Sequence, residues 1–353
     1  MMADLVDFVA LSLLPIWMWR DIGERLRAGD APASAFDRLL ATRWPRSPAQ
    51  RSDLLSSAAT ALARAAADGL TPIAWSDPAY PPSLSAISDP PPVLWTRGSP
   101  VALERPAVAI VGSRAASSYA LDVAGCLAAD LAARGLTVVS GLARGVDSAA
   151  HRGALSVGQP TIAVLGCGAD VIYPPEHAAL ARSIEPRGLI VSELVPGTRP
   201  LPQFFPQRNR IISGLSRAVV VVEAGDRSGA LITARCALDQ GRDVFAVPGN
   251  ILSGRNSGGH ALLRDGARIV DSADDILEEL GERRRAPSAG RLPAAADPLL
   301  ACLPPGEACD LDAISERSGL SPSRLLPRLF ELELQGLVRR AGAGRFVRFD
   351  RPC

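Results

Sequence analysis

Ala107-Val108-Ala109-Ile110-Val111 runs directly into Gly112-Ser113-Arg114, and this texture recurs along the chain. Short apolar runs at Leu136–Val139, Thr161–Leu165, Leu189–Val191, Ala218–Val222 and Val244–Val247 are each bounded by Gly, Ser or Pro. Ala/Leu-rich stretches of helical spacing separate them. A strand that is apolar at every residue has both faces covered, and helices between such strands supply the cover. The pattern predicts an α/β fold with a doubly wound, mostly parallel sheet over residues 76–280, closing with a helix at Asp274–Leu280.

Outward from that block the texture changes. Residues 1–75 are Leu/Ala/Arg-rich, with Leu5, Phe8, Val9 and Leu13 on one helical face and Phe36, Leu39, Leu40, Leu54, Leu55 and Leu62 marking later helices. The apolar run Leu5–Trp19 is interrupted by Asp7 and Pro15, lacks the basic start of a leader, and is too short to span a bilayer. It predicts a helix of a soluble domain, with no membrane insertion. The proline-dense stretch from Pro78 to Pro100, within a lead-in of residues 76–106, predicts an extended connector laid on a surface. Residues 281–296 have the composition of a linker. Residues 297–353 predict two helices around Gly319 and then short β segments at Leu337–Arg340 and Arg345–Phe349, which is a winged-helix domain.

Of 353 residues, 47% are hydrophobic, and 38 basic side chains face 37 acidic ones, for a net charge of +1. That balance excludes a polycationic coat protein, so any charge offered to a nucleic acid is local. Every basic side chain is arginine, a planar fork suited to phosphate. Six scattered cysteines, none in C-x-x-C, with three histidines, argue against a metal site and for a reduced, cytoplasmic protein.

Open parallel sheets bind ligands beyond the carboxyl ends of their strands. Here those ends carry Gly112-Ser113-Arg114, Ser140-Gly141-Leu142-Ala143-Arg144-Gly145, Gly166-Cys167-Gly168, Glu223-Ala224-Gly225-Asp226-Arg227-Ser228-Gly229 and Pro248-Gly249-Asn250. Phe204-Phe205-Pro206-Gln207-Arg208-Asn209-Arg210 adds two forks to the same edge. Glycine lets backbone approach a ligand, serine donates, and arginine brings charge, so the set reads as a phosphate-binding rim. Without lysine there is no P-loop, and the third glycine of a dinucleotide fingerprint is missing. Asp147 and His151 stand four apart and can pair on a helix, as a helix-start contact or an acid–base couple. Glu193 and Glu223 are the remaining candidate carboxylates.

Taken in order, Tyr80-Pro81, Asp89-Pro90-Pro91-Pro92, Ala109–Arg114, Ser140–Asp147 with His151, Thr161–Gly166, Phe205–Ser216 and Ser228–Ala234 resemble the DNA-processing protein DprA (Smf) family over roughly residues 75–270. The resemblance implies a Rossmann-like domain that binds single-stranded DNA without sequence preference and has no catalytic turnover and no cofactor. It further implies protection of incoming DNA in natural transformation, loading of the RecA recombinase, and a homodimer. The family's basic DNA pocket falls on Arg114, Arg144, Arg208 and Arg210, with Gly112, Ser113, Gly145, Phe205 and Asn209 around it. Leu14–Trp19 stands where many members carry a Gly-containing hairpin, so no DNA contact is assigned to the N-terminal helices. Glu331 and Glu333 on the recognition helix of the tail oppose phosphate and favour a protein contact there over duplex binding.

With 5% aromatics, stacking is expected to contribute little, and Phe204, Phe205 and Tyr119 are read first as core residues. The competing class is a nucleotide-processing enzyme of the lysine-decarboxylase-like phosphoribohydrolase type, with Glu223 as its carboxylate. Its P-G-G-x-G-T string is absent from Glu223–Gly229. A dinucleotide-dependent oxidoreductase is the third reading.

Overall fold

The computed structural model describes residues 2–42, 48–281, 297–304, 306–334, 337–342 and 344–348. Four helices open the chain: α1 (Met2–Ser12), α2 (Trp19–Arg27), α3 (Pro32–Thr42) and α4 (Pro48–Ala67). Their apolar faces bury Phe8, Val9, Leu11, Ile22, Phe36 and Leu39 in a core that also takes in Val93 and Trp95. The chain then enters the sheet through β1 (Thr71–Ala74), turns at a short helix, α5 (Pro82–Ser85), and returns as β2 (Val93–Gly98).

The alternating block supplies β3 (Ala107–Val111), α6 (Ser118–Ala133), β4 (Thr137–Ser140), α7 (Val146–Ser156), β5 (Thr161–Val164), α8 (Ala178–Ile184) and β6 (Leu189–Ser192). It continues with α9 (Phe204–Gly214), β7 (Ala218–Val221), α10 (Gly229–Asp239), β8 (Asp243–Ala246), α11 (Ser257–Arg264), β9 (Arg268–Ile269) and α12 (Ala273–Glu279). The nine strands lie in the order β1-β2-β6-β5-β4-β3-β7-β8-β9. All pairs from β6 to β9 in that order are parallel, whereas β2 is antiparallel to both β6 and β1. Period-two alternation sends Val108, Ile110 and Val220 to the face covered by α6, α7 and α12. Ala109, Val111, Val219 and Val221 turn to the opposite face, under α9 and α10. The doubly wound, Rossmann-like reading of the alternating block is therefore observed.

The proline-dense stretch departs from its reading as a surface connector. Between Pro92 and Pro100 it carries no proline, and that run forms β2, hydrogen-bonded on both sides with Val93, Leu94 and Trp95 fully buried. Pro78, Pro82 and Pro100 are exposed, but Pro81 and Pro90–Pro92 are buried, Pro90 of them under the helical bundle. A Cβ on Gly23 would meet Pro90 Cδ at 2.7 Å, and Arg27 of α2 donates to the carbonyls of Ser85, Ile87 and Ser88. Among the described residues Cys167, Cys236, Cys302 and Cys309 are free thiols.

The C-terminal unit is built separately, dividing from the rest near residue 283. The stretch 282–296, read as a linker, lies outside the described residues. Beyond it come α13 (Pro298–Ala301), β10 (Ala308–Asp310), α14 (Leu311–Ser318), α15 (Pro322–Leu334), β11 (Val338–Arg340) and β12 (Arg345–Arg348). The strands pair in the order β10-β12-β11. Asp310 caps α14 through Ala313 N at 2.8 Å, and Gly319 ends it in the left-handed region at φ 67°. Ile314, Leu325, Leu329, Leu332 and Phe346 close the small core. No helix among the described residues is long and apolar enough to cross a membrane.

Candidate nucleic-acid interface

Strand order reverses at the β3–β7 pair: β4, β5 and β6 lie on one side of it, β8 and β9 on the other. At the carboxyl ends of these two strands, where such a sheet leaves a crevice, lies an open cleft of about 720 Å³. Its walls are Gly112–Ala115 after β3, Gly225–Ala230 after β7, and Phe205, Arg208 and Asn209 of α9.

Two glycines let the β3 wall form. Gly145 adopts φ 73°, and a Cβ there would collide with Ser113 O, whose carbonyl accepts from Val146 N at 3.2 Å. A Cβ on Gly112 would lie 2.6 Å from Val146 Cγ2. The other side of this wall is fixed by Ser113 N donating to Glu223 O at 2.7 Å. The Glu223 carboxylate accepts from Ser117 N (3.1 Å) and Ser117 Oγ (2.6 Å). It therefore secures the start of α6 and does not line the cleft.

The four forks of the expected pocket have different fates. Arg208 is 4% exposed on the cleft floor, where Nη1 donates to Gly141 O at 2.7 Å and to Val164 O, and Nε to Asn209 Oδ1 at 3.3 Å. Burial draws its pKa down to about 10, opposed by the Asp147 charge and reinforced by Arg114, so it remains a cation at neutral pH. Asp147 is itself buried and accepts from Gly141 N (3.0 Å) and Ala143 N (3.3 Å). Desolvation raises its pKa, while Arg208 and those two amides hold it down. Arg114 is exposed at the mouth, 5.4 Å from the centre of the Phe205 ring, which lies 5.5 Å from that of Tyr173. Arg144 borders a smaller recess beside Arg114, Tyr173 and Arg208, and its exposed guanidinium is paired with Glu176.

Arg210 does not join them. It is 7% exposed, paired with Asp89 at 2.8 Å and Glu193 at 2.7 Å, and lies 4.9 Å from the Trp19 ring centre. At 100° per residue, positions 208 and 210 of one α-helix point to opposite sides. The two forks placed on one edge by their sequence proximity are thus separated by the helix that carries them, and Arg210 is corrected to an internal contact with the N-terminal bundle.

Other expectations shift as well. Phe205 and Tyr119, read first as core, are a half-buried cleft wall and a 54% exposed ring. Asp147 and His151 do not pair with each other. Asp147 turns to the loop before its helix, and His151 Nδ1 lies 2.7 Å from Thr161 Oγ1. Arg227 and Tyr173 line the cleft and were not singled out. Arg227 stands in the quoted β7 loop and was legible there; nothing local marks Tyr173. Among the described residues no group of three or more His, Cys, Asp or Glu side chains could hold a metal ion.

Comparison with known proteins identifies the family. A family model described as DNA recombination-mediator protein A matches residues 71–281, and the DprA winged helix domain matches residues 283–344. Protein Smf of Escherichia coli (strain K12) is 43% identical over 286 residues, spanning 78% of this chain and 76% of that protein. The DNA processing protein DprA of Streptococcus pneumoniae (strain ATCC BAA-255 / R6) is 47% identical over 207 residues, spanning 58% of this chain and 72% of its own length. The X-ray structure of the Streptococcus pneumoniae protein aligns with TM-score 0.59 at 38% identity, covering 78% of this chain and 93% of that one. DNA processing protein A from Helicobacter pylori, whose structure addresses its single-stranded DNA binding mode, aligns with TM-score 0.54 at 30% identity over 60% and 95% of the two chains. Matched over its sheet and its tail, and with its glycine-built cleft at the switch point, the chain belongs to the DNA recombination-mediator protein A (DprA/Smf) family.

Proposed function

We propose that this chain binds single-stranded DNA in the cleft without sequence preference and has no catalytic turnover. On this reading it shields incoming strands during natural transformation and helps load the RecA recombinase, acting as a cytoplasmic homodimer. Arg114, Arg144 and Arg208 meet phosphates, Phe205 offers a base face, and Gly112, Ser113, Gly145 and Asn209 shape the floor and wall. The observation that carries the reading is Arg208, a guanidinium held still under two carbonyls at the base of an open cleft. A cation fixed in advance loses little entropy on meeting a phosphate. The arrangement of Arg114, Phe205 and Tyr173 at the mouth pairs a charge with ring faces, the combination that sequence-tolerant binding to single strands uses. The Helicobacter pylori relative's single-stranded DNA binding mode supports the same ligand. The winged-helix unit is read as a protein contact, since the carboxylates Glu331 and Glu333 on α15 would oppose phosphate.

Fluorescence anisotropy with labelled oligo-dT and its duplex over a salt series tests the reading. Affinity for the single strand is expected to exceed that for the duplex and to fall with salt, each phosphate contact adding ~0.7 to the log–log slope. Arg114→Ala, an exposed change, flattens the slope and weakens all sequences alike, and Arg208→Ala weakens them further. Equal affinity for duplex and single strand, or loss confined to one sequence, would overturn it.

A further inference from the structure

The loop between β8 and α11 leaves the sheet at the margin that carries the cleft, and it is internally braced. Asn250 Oδ1 accepts from Leu252 N at 2.7 Å, and its carbonyl accepts from Ser253 Oγ at 3.0 Å. The far end of the loop is tied to the cleft wall. Arg255 Nη1 donates to Ala115 O at 2.9 Å, and Asn256 joins Val247 O (2.9 Å) to Ala224 N (3.0 Å). Ala115 and the neighbouring Gly225 both line the cleft.

On this brace Ile251 and Leu252 stand 79% and 90% exposed. Tyr119, 54% exposed, sits at the foot of the loop and donates to Pro248 O at 3.3 Å. Single apolar side chains in water need no account, but two large ones on a braced loop that also carries a cation, with the Tyr119 ring of α6 at its foot, do. Their complement has flat apolar faces and a regular anionic edge. A single nucleic-acid strand is such a ligand, with bases against apolar side chains and phosphates against Arg255.

We propose that Tyr119, Ile251, Leu252 and Arg255 form a second nucleotide subsite, which receives the strand as it leaves the cleft past Ala115 and Gly225. The proposal rests on the cleft binding single-stranded DNA and lengthens the path of that strand. A protein partner docking on the same loop is the rival outcome.

The test uses the full chain and two labelled oligo-dT lengths. One, of about 6 nucleotides, fills the cleft alone; the other, of about 20, runs past it, within the range of strand-tracking grooves. The double substitution Ile251→Ser with Leu252→Ser is expected to weaken the longer oligomer about tenfold, leave the shorter within about twofold, and keep the thermal midpoint unchanged. Arg255→Ala lowers the salt slope by ~0.7 for the longer oligomer only. A double variant that binds the longer oligomer as tightly as the native chain overturns the subsite and leaves the loop to a protein partner. Native protein that binds neither length fails the cleft reading and takes the subsite with it, whereas Arg208→Ala losing both lengths shows the cleft intact as the primary site.

Discussion

His151 is fully buried in α7, and its hydrogen bonds fix its tautomer. Thr161 Oγ1 gives its proton to Val138 O at 2.7 Å, so Nδ1–H of His151 must donate to that hydroxyl, and the bare Nε2 is left without a partner. Burial lowers its pKa to about 3, helped by its neighbours His177, Arg208 and Arg152. The folded value lies below the unfolded one of about 6.5, so the unfolded chain takes the proton first. The contribution to stability is complete above pH 6.5 and is lost as pH falls toward 3, by up to ~1.4 kcal/mol per pH unit. Asp147 and Glu193, raised by burial, titrate with the opposite sign. His151→Gln is expected to flatten the fall in the urea midpoint between pH 6.5 and 4. Equal slopes in native protein and variant would place the acid sensitivity elsewhere. None of this was legible in the sequence, where Asp147 and His151 only shared a helix face; the competing loop amides and the Thr161 hydroxyl come from other elements.

At the scale of elements, α9 is the part whose two sides were conflated. Its run Phe204–Arg210 reads correctly as a rim segment for Phe205, Arg208 and Asn209, because those side chains share the cleft side of the helix. Arg210 faces the bundle, and the buried Glu193 it pairs with belongs to the strand-end loop after β6. Desolvation raises the Glu193 pKa, and the Arg210 charge and hydrogen bond oppose it. Removing one member of such a pair leaves a buried charge uncompensated, at ~3–5 kcal/mol. Arg210→Met is therefore expected to lower the unfolding free energy by that amount, with a partial return when Glu193→Gln is added, read by urea titration as a double-mutant cycle. Oligo-dT affinity of the folded variant is expected to stay within about threefold of native, in contrast to Arg208→Ala. A loss of binding without a loss of stability would return Arg210 to the DNA-binding set. The strand β2 was missed because proline density was read across the whole of 78–100, although the run from Val93 to Gly98 contains none.

The whole molecule divides near residue 283, and its larger unit includes the N-terminal helices. Sequence texture placed a boundary at residue 75, but the contacts there cross it. Arg27 reaches the carbonyls before β2, Arg64 pairs with Asp170 at 2.8 Å, and Trp19 lies under Arg210. Six of the seven parallel strands and the winged-helix pattern were legible because apolar runs and helical spacing are local signals; the two-residue β9 carries no such run. The docking of the bundle was not legible, because it joins helical apolar faces to the distant Val93 and Trp95 of β2 and single arginines to distant carbonyls and carboxylates. We propose that helices α1–α4 and the sheet form one cooperative unit and that the winged helix is a second. Calorimetry is expected to show two transitions, the smaller belonging to residues 297–348, with no separate melting of the bundle. A third transition removed by deleting residues 2–67 would refute this.

The margins of the large sheet are short: four residues in β1, among them Pro72, and two in β9. A foreign strand recruits itself by finding a long ladder of vacant amides and carbonyls, and proline withholds an amide where one would be sought. Nine strands can thus be stacked side by side in a crowded cell while leaving hardly any seam along which one molecule could be zipped onto another.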